Sequence, residues 1–179
     1  MKVICDRGAL MDAINVVSGV VVSRSPRQQL TCVKLTAERD GDVGMLTLTG
    51  TDGEISLRLR LDRVDVEEPG EALIPADKLR QIVSAEDSEP TLTLETDGDI
   101  CQIRGVDAYF RVYGFPAREF PPIPGFTEIA RSARTTFSHP AGGIGELIVR
   151  TLFATARESS RYAINGVLLN RTGKKLEFV

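Results

Sequence analysis

Apolar residues after Asp6 recur every three or four positions, which predicts an amphipathic helix of about three turns with Asp6 as its N-cap. The helix is expected to end at Gly19. Its apolar positions are Leu10, Ala13, Ile14 and Val17. Three runs of strand-like residues follow at 31–37, 45–49 and 54–61, separated by Asp-Gly pairs at 40–41 and 52–53. Such pairs favour hairpin turns, so the pattern predicts an antiparallel meander.

The same order of elements then repeats. After a turn at 67–70 come a strand at 72–75, a short helix and strands at 91–95, 99–104 and 108–112. The apolar positions of that helix are Leu79, Ile82 and Val83. Residues 48–55 also resemble residues 94–100 around an Asp-Gly pair. Two helix-plus-sheet halves packed about a pseudo-twofold axis would form one α+β domain ending near residue 120, with chance similarity of two hairpins as the alternative.

A stretch rich in proline and glycine follows and predicts a linker at 121–126, between a first domain at 1–120 and a second at 127–179. In the second domain we expect a strand at 135–137, a helix at 141–156 capped by Ser138, and strands at 163–170 and 175–179. By the pattern of the first domain, further strands are missing. The prediction is therefore a partial second domain of a longer protein.

Composition favours a soluble, non-catalytic protein. The chain has 179 residues, 42% hydrophobic and 26% charged, without an apolar run long enough to span a membrane or an N-terminal secretion signal. A cytoplasmic location without membrane partners is expected. The cysteines Cys5, Cys32 and Cys101 form no CxxC pair, and His139 is the sole histidine. We therefore predict no catalytic residue, metal site or cofactor.

The net charge of −3 hides an uneven distribution: residues 1–61 carry +1, residues 62–99 carry −9 and residues 100–179 carry +5. Exposed arginines in a loop and along a helix suit contacts to DNA phosphates. The candidates are Arg24 and Arg27 after the first helix, and Arg150, Arg157 and Arg161 on or after the later one. Arg150 and Arg157 are seven positions apart and would share a helix face. Tryptophan is absent, so duplex binding is favoured over single-strand stacking.

Two other functions remain open at this point. An acidic cluster between residues 62 and 71 could bind a divalent cation in a small metal-dependent hydrolase or nuclease, although a solvated loop is the favoured interpretation. Its members are Asp62, Asp65, Glu67, Glu68 and Glu71. Alternatively, the chain is a stand-alone protein-interaction module with a basic C-terminal third.

Several motifs together resemble one known family over the whole chain. They are Val17-Ser18-Gly19 with Arg24, the run at 46–52, Pro69-Gly70 with Ile74-Pro75-Ala76, Phe120-Pro121, and the run Arg-Tyr-Ala-Ile-Asn-Gly-Val-Leu-Leu at 161–169. The last is the most specific. On these residues the chain resembles the N-terminal part of the bacterial sliding clamps, the beta subunit of DNA polymerase III.

The resemblance implies a DNA-clamp fold, with repeated helix-plus-antiparallel-sheet halves and the helices on one face. It also implies a processivity factor without catalysis of its own, an accessory subunit of a DNA-directed DNA polymerase. A full-length homodimer would form a ring around duplex DNA, opened by a clamp loader, and would tether the polymerase III core and other clamp-binding proteins. Tethering raises effective concentration, so weak contacts suffice.

Individual residues acquire expected roles from the same resemblance. Arg24 matches a DNA-contacting loop arginine, and Glu158 falls where a polar DNA contact is found. Asp77 falls where a basic DNA contact is found, so the channel would either hold DNA less tightly or use Arg157 instead. The subunit interface is expected to include Lys78, Ile82, Phe110 and Val112. The near side of a pocket for partner peptides is expected to include Arg161 and Ile164.

Overall fold

The computed structural model describes residues 1–140, 142–156 and 165–179. Two compact units divide the chain, Met1–Ile123 and Pro124–Val179.

The first unit contains two helices and eight strands. In chain order they are β1 (Lys2–Asp6), α1 (Arg7–Val17), β2 (Cys32–Asp40), β3 (Val43–Thr51), β4 (Ser56–Glu68), β5 (Gly70–Pro75), α2 (Ala76–Ala85), β6 (Thr91–Asp97), β7 (Ile100–Arg104) and β8 (Tyr109–Tyr113). Short 3-10 turns lie at Gln28–Thr31 and Ala117–Glu119. The predicted order of helix, meander, strand, helix and meander is confirmed.

The eight strands form one antiparallel sheet in the order β5-β2-β3-β4-β1-β6-β7-β8. Each half of the unit supplies one strand, one helix and three more strands. The first strand of each half bonds to the other half: β1 lies between β4 and β6, and β5 pairs with β2. The two halves therefore share a single hydrogen-bonded sheet.

The repeat is visible in the core. Leu10 and Ile14 of α1 lie 69 positions before Leu79 and Val83 of α2, and all four side chains are fully buried. The two helices pack against each other over one face of the sheet. The core lies between this helix layer and the inward-facing strand residues, such as Leu46, Leu48 and Ile103.

The sequence similarity around the Asp-Gly pairs, however, matched the wrong hairpins. Asp97-Gly98 joins β6 to β7, whose counterpart in the first half is the β2–β3 turn at Asp40-Gly41. Gly41 and Gly98 both have φ of 59°, which favours glycine, whereas Gly53 in the β3–β4 connection has φ of 100°. The repeat is real, but the predicted alignment of 48–55 with 94–100 is wrong.

Strand β1 was not predicted from the sequence, although Asp6 at its end is confirmed as the N-cap of α1. The Asp6 side chain accepts a hydrogen bond from the Ala9 amide at 2.7 Å. Only two residues of β1, Val3 and Cys5, face the core, so the alternation is too short to stand out. Its central place comes from pairing with two distant strands.

Strand β4 extends seven residues beyond its predicted end. A bulge in the strand explains why its sequence pattern indicates an earlier end. Leu46 pairs with Leu61 while Gly44 pairs with Val64, so β4 carries one extra residue there. The inward alternation of Leu57, Leu59 and Leu61 consequently changes phase and resumes at Val64 and Val66. In the sequence this change of phase resembles the end of a strand. A Cβ at Gly44 would lie 2.5 Å from the Val64 carbonyl oxygen, so the close approach at the bulge requires glycine.

The two ends of the sheet meet at a short seam. Phe115, just after β8, donates its amide to the Leu73 carbonyl of β5 at 2.9 Å. A Cβ at Gly114 would lie only 2.3 Å from the same carbonyl oxygen. Phe120 then packs with Cys32 and Leu73 in a second small cluster. The seam adds a contact between β5 and β8 at the outer edges of the sheet.

The second unit differs more from its prediction. Its elements are α3 (Phe126–Ser132), α4 (Gly143–Leu152), β9 (Leu169–Thr172) and β10 (Lys175–Phe178). Helix α3 was not predicted, and no strand forms at 135–137. The N-cap of α4 is Gly142, at φ of 84°, not Ser138, and the helix ends at Leu152 rather than 156. The predicted strand at 163–170 contributes only its last two residues to β9; residues 163 and 164 lie outside the described residues.

Helices of the described segments are all too short or too polar to cross a bilayer.

The seam predicts that Gly114→Ala destabilises the first unit by about 1–3 kcal/mol, because the added methyl group forces two backbones apart. Urea unfolding followed by circular dichroism measures the change. Gly125→Ala is the matched control, since a Cβ there meets no atom within 4 Å. Equal stability of the two variants would contradict the close approach at the seam.

Candidate nucleic-acid interface

The helix layer of the first unit presents a distinct exposed face. Because the apolar stripes of α1 and α2 are buried against the sheet, their polar residues point away from it. The exposed members include Asp12 and Asn15 on α1 and Asp77, Lys78 and Arg80 on α2. The loop 18–27 continues from the end of α1.

A cavity of about 310 Å³ lies between this loop and the first turns of α2. Its lining includes Ser18, Ser23, Asp77 and Arg80. The Ser18 hydroxyl oxygen is buried and has no hydrogen-bond partner among the described residues. Pro75, the N-cap residue of α2, provides no side-chain cap. The cavity therefore combines an arginine, hydroxyl groups and backbone amides that the helix leaves unpaired.

Arg24 and Arg27 are both exposed in the loop beside this cavity. Within the described ranges, neither forms an ion pair with a carboxylate. The Arg27 amide donates to the Ser25 hydroxyl at 3.0 Å, which orders the loop between them. Exposed arginines without a carboxylate partner can bind the oxygens of a phosphate.

Charge is divided between the helix side and the rest of the first unit. The segments 6–31 and 76–85 carry five basic and three acidic side chains, whereas the remainder of residues 1–123 carries nine basic and eighteen acidic ones. These two segments, called the helix side below, carry an excess of two positive charges, and the loop 86–90 after α2, with Glu86, Asp87 and Glu89, borders them on the acidic remainder. Asp77, at the edge of the cavity, reduces that excess locally.

The acidic cluster lies on exposed strand residues, so the solvated loop favoured from the sequence is wrong. Asp62 pairs with Arg60 at 2.8 Å, Glu67 with Lys2 at 2.6 Å and Glu71 with Lys34 at 2.7 Å. Asp65 and Glu68 are exposed on β4. In the described parts of the chain, no three potential metal ligands come together. These paired acids do not form the centre that a metal-dependent nuclease would need.

The expected interface residues lie where α2 meets the edge strand β8. Lys78 is exposed, and Ile82 and Phe110 are partly buried. Val112 is only 5% exposed and its side chain belongs to the core, so its expected interface role stays a prediction that rests on its place in the edge strand β8.

An aromatic and arginine cluster beside that edge was missed from the sequence. The guanidinium groups of Arg104 and Arg111 both lie over the Tyr109 ring, at 5.3 and 5.5 Å from its centre. Arg111 also donates to the Tyr109 hydroxyl at 2.8 Å. The alternating run at 109–113 was the available signal, because it places Tyr109, Arg111 and Tyr113 on one face of an edge strand.

Of the basic residues predicted as DNA contacts in the second unit, the structure describes only Arg150. Arg150 is exposed on α4 and pairs with Glu146 at 2.7 Å. Helix α4 ends at Leu152, before Arg157 is reached. The other expected residues, Arg157, Glu158, Arg161 and Ile164, lie outside the described residues.

The three thiols are unsuited to nucleophilic chemistry. Cys5, Cys32 and Cys101 are at most 2% exposed. Burial raises the pKa of Cys5 and of Cys101 to about 12, and that of Cys32 to about 11. A thiol with such a pKa carries almost no reactive thiolate near neutral pH.

Comparison with known proteins gives a consistent match. Residues 1–124 match the model of the family "DNA polymerase III beta subunit, N-terminal domain". The beta sliding clamp of Pseudomonas aeruginosa is 32% identical over 176 residues, which cover 97% of this chain and 45% of that protein. The chain thus spans about half the length of such relatives.

Solved structures agree with the sequence match. A P. aeruginosa sliding clamp bound to griselimycin superposes with a TM-score of 0.79 at 32% identity, over 98% of this chain and 45% of that one. A polymerase sliding clamp from Bacillus subtilis superposes with a TM-score of 0.77 at 25% identity, over 98% and 46%.

The burial of the thiols predicts that native protein at pH 8 reacts with Ellman's reagent far more slowly than protein unfolded in guanidinium, which should release three equivalents at once. Absorbance at 412 nm measures both rates. A thiol that reacts equally fast in native and unfolded protein would contradict its burial.

Proposed function

The chain belongs to the DNA polymerase III beta subunit family and contains its N-terminal domain, and on this premise we propose that it serves as part of a sliding clamp. In this proposal the assembled protein encircles duplex DNA in the cytoplasm and keeps a polymerase bound to its template. The clamp contributes no catalysis of its own.

The observation that carries the proposal is the division of charge in the first unit. The helix side has an excess of positive charge and includes the exposed loop arginines, whereas the rest of the unit is strongly acidic. DNA would therefore approach the helix side and be repelled by the sheet and the hairpin turns. The shared sheet holds both helices on that side.

The modest charge of the helix side suits a protein that slides. Arginine contacts to phosphates position a protein on DNA without reading its sequence. A few such contacts, opposed by the negative charges of Asp12 and Asp77, give weak binding to DNA. Each arginine can then move readily from one phosphate to the next. Retention on DNA would then come from encirclement rather than from affinity. We assign Arg24 and Arg27 to these contacts, with Arg150 and Arg157 as further candidates in the second unit. Glu158 is proposed as a polar DNA contact that does not involve a phosphate.

Ring closure would use the α2–β8 edge of the first unit. An edge strand offers unpaired backbone groups to a second chain, and Lys78, Ile82 and Phe110 border it. A homodimer built through this edge is the assembly that we propose. Partners would include a clamp loader, the polymerase III core and other clamp-binding proteins. Arg161 and Ile164 would form the near side of the pocket for their peptides.

For DNA contact, we predict that Arg24→Ala weakens binding to a short duplex at low salt by about three- to five-fold, as expected for the loss of one exposed phosphate contact. The magnitude of the slope of log affinity against log salt concentration should fall by about one, which corresponds to the loss of one phosphate contact. Fluorescence anisotropy with a labelled duplex measures both.

Arg60→Ala is the matched control, because it removes one arginine from the outward face of β4, where Asp62 already neutralises it. Unchanged affinity in Arg24→Ala, or an equal loss in both variants, would contradict the assignment of the helix side to DNA.

For assembly, we predict that Lys78→Glu weakens self-association of the full-length protein by at least several-fold, because it reverses an exposed charge at the proposed interface. Sedimentation velocity over a dilution series measures the dissociation constant. Ser84→Glu, an exposed change on the same helix, is the control. Equal association of both variants would place the interface elsewhere.

A further inference from the structure

A basic cleft in the second unit has no place in the proposed function. It has a volume of about 240 Å³ and lies between residues 137–139 and the β9–β10 hairpin. Its lining residues are Phe137, Ser138, His139, Arg171, Lys174 and Leu176. None of them is acidic. Residues 124–179 as a whole carry eight basic and four acidic side chains, so the surroundings favour an anion as well.

The hairpin determines which of its side chains face the cleft. Arg171 pairs directly with Leu176 across the two strands, and directly paired residues project from the same face. Their neighbours Lys175 and Glu177 project from the opposite face and form an ion pair with each other. Lys174 lies in the turn beside Gly173, whose φ of 60° permits the tight reversal. The only carboxylate of the hairpin therefore neutralises Lys175 rather than the cleft.

The guanidinium group of Arg171 is held in place by three contacts. Its Nε donates to the Gly173 carbonyl at 3.2 Å, and one Nη donates to the Thr136 carbonyl at 3.5 Å. The group also stacks over the Phe137 ring at 5.6 Å from the ring centre. Among the described residues, its second Nη has no partner. A positioned guanidinium loses little entropy on binding a ligand.

The remaining donors are of several kinds and come from both walls. Lys174 offers an ammonium group without a carboxylate partner in the described part of the chain, and Ser138 offers a hydroxyl. His139 has Nδ1 3.1 Å from the Pro140 carbonyl, which leaves Nε2 as the ring nitrogen available to a ligand. Donors that line both walls of one cleft suit a tetrahedral oxyanion, whose oxygens do not lie in one plane, better than a carboxylate, which has two coplanar oxygens.

We propose that this cleft binds a phosphate group, held between Arg171 and Lys174 with Ser138 and His139 on the opposite wall. The phosphate is either free or part of a nucleic-acid backbone, since both present the same oxygens. The cleft belongs to the second unit and the loop of Arg24 to the first, and each assignment is tested by its own variants, so either can fail while the other holds.

Titration of the whole protein with inorganic phosphate at constant ionic strength tests the proposal by two-dimensional NMR. Saturable shifts should be confined to the amides of 137–139 and 171–176. Lys174→Gln should raise the dissociation constant at least three-fold. Lys175→Gln, which removes the same charge from the opposite face of the hairpin, should leave it unchanged.

Three results would overturn the proposal: no saturable shifts, equal weakening by both variants, or equal shifts with acetate. Competition by a short duplex identifies the source of the phosphate. Displacement of bound inorganic phosphate by the duplex would support a nucleic-acid backbone as the ligand, and retention would support free phosphate. If the ligand is a nucleic-acid backbone, Lys174→Gln should also weaken binding of the duplex. If the ligand is free phosphate, it should not.

Discussion

The pairing of β1 with β6 and of β5 with β2 is the constraint on which the first unit depends. Either half alone would have a helix and a few strands with an exposed apolar face, too little to bury a core. Because the first strand of each half adds to the sheet of the other, the two halves form one continuous hydrogen-bonded layer. Both helices must then lie on the same face of that layer, where Leu10, Ile14, Leu79 and Val83 meet over the inward-facing strand residues.

This arrangement also distributes the charge. A helix layer buried on its inner side leaves its polar residues and the following loop as one surface, while the outward strand residues and turns form another. The acidic side chains are concentrated on the second surface, where Glu67 and Glu71 each pair with a lysine. A protein of net negative charge can thereby present a positive face to DNA. The distribution of charge between the two surfaces, rather than the net charge, determines which surface a polyanion approaches.

Some features of the fold are determined by residues close together in the sequence, and these could be predicted. The helix of 7–17 and its Asp6 cap follow from nearest neighbours along the chain, and so does the tight turn at Asp40-Gly41. Strand β1 and the continuation of β4 depend on distant partners, and a bulge opposite Gly44 hides the latter by changing the phase of its alternation. Segment charges likewise indicated an acidic middle, but only the fold shows that Arg24 and Arg80 share a side. Tyr109 and its two arginines were missed because their proximity depends on pairing between β7 and β8.

If the assembled protein is a ring that encircles DNA, as we propose, its retention depends on whether the DNA has free ends. Full-length protein would be loaded by a clamp loader onto nicked circular DNA, separated from unbound protein by gel filtration, and measured again after the circle is cut once by a restriction enzyme. The account predicts that the protein remains on the circle and is lost from the linear product, because a ring slides off free ends. Equal retention on circular and linear DNA would show that affinity holds the protein in place and would contradict encirclement.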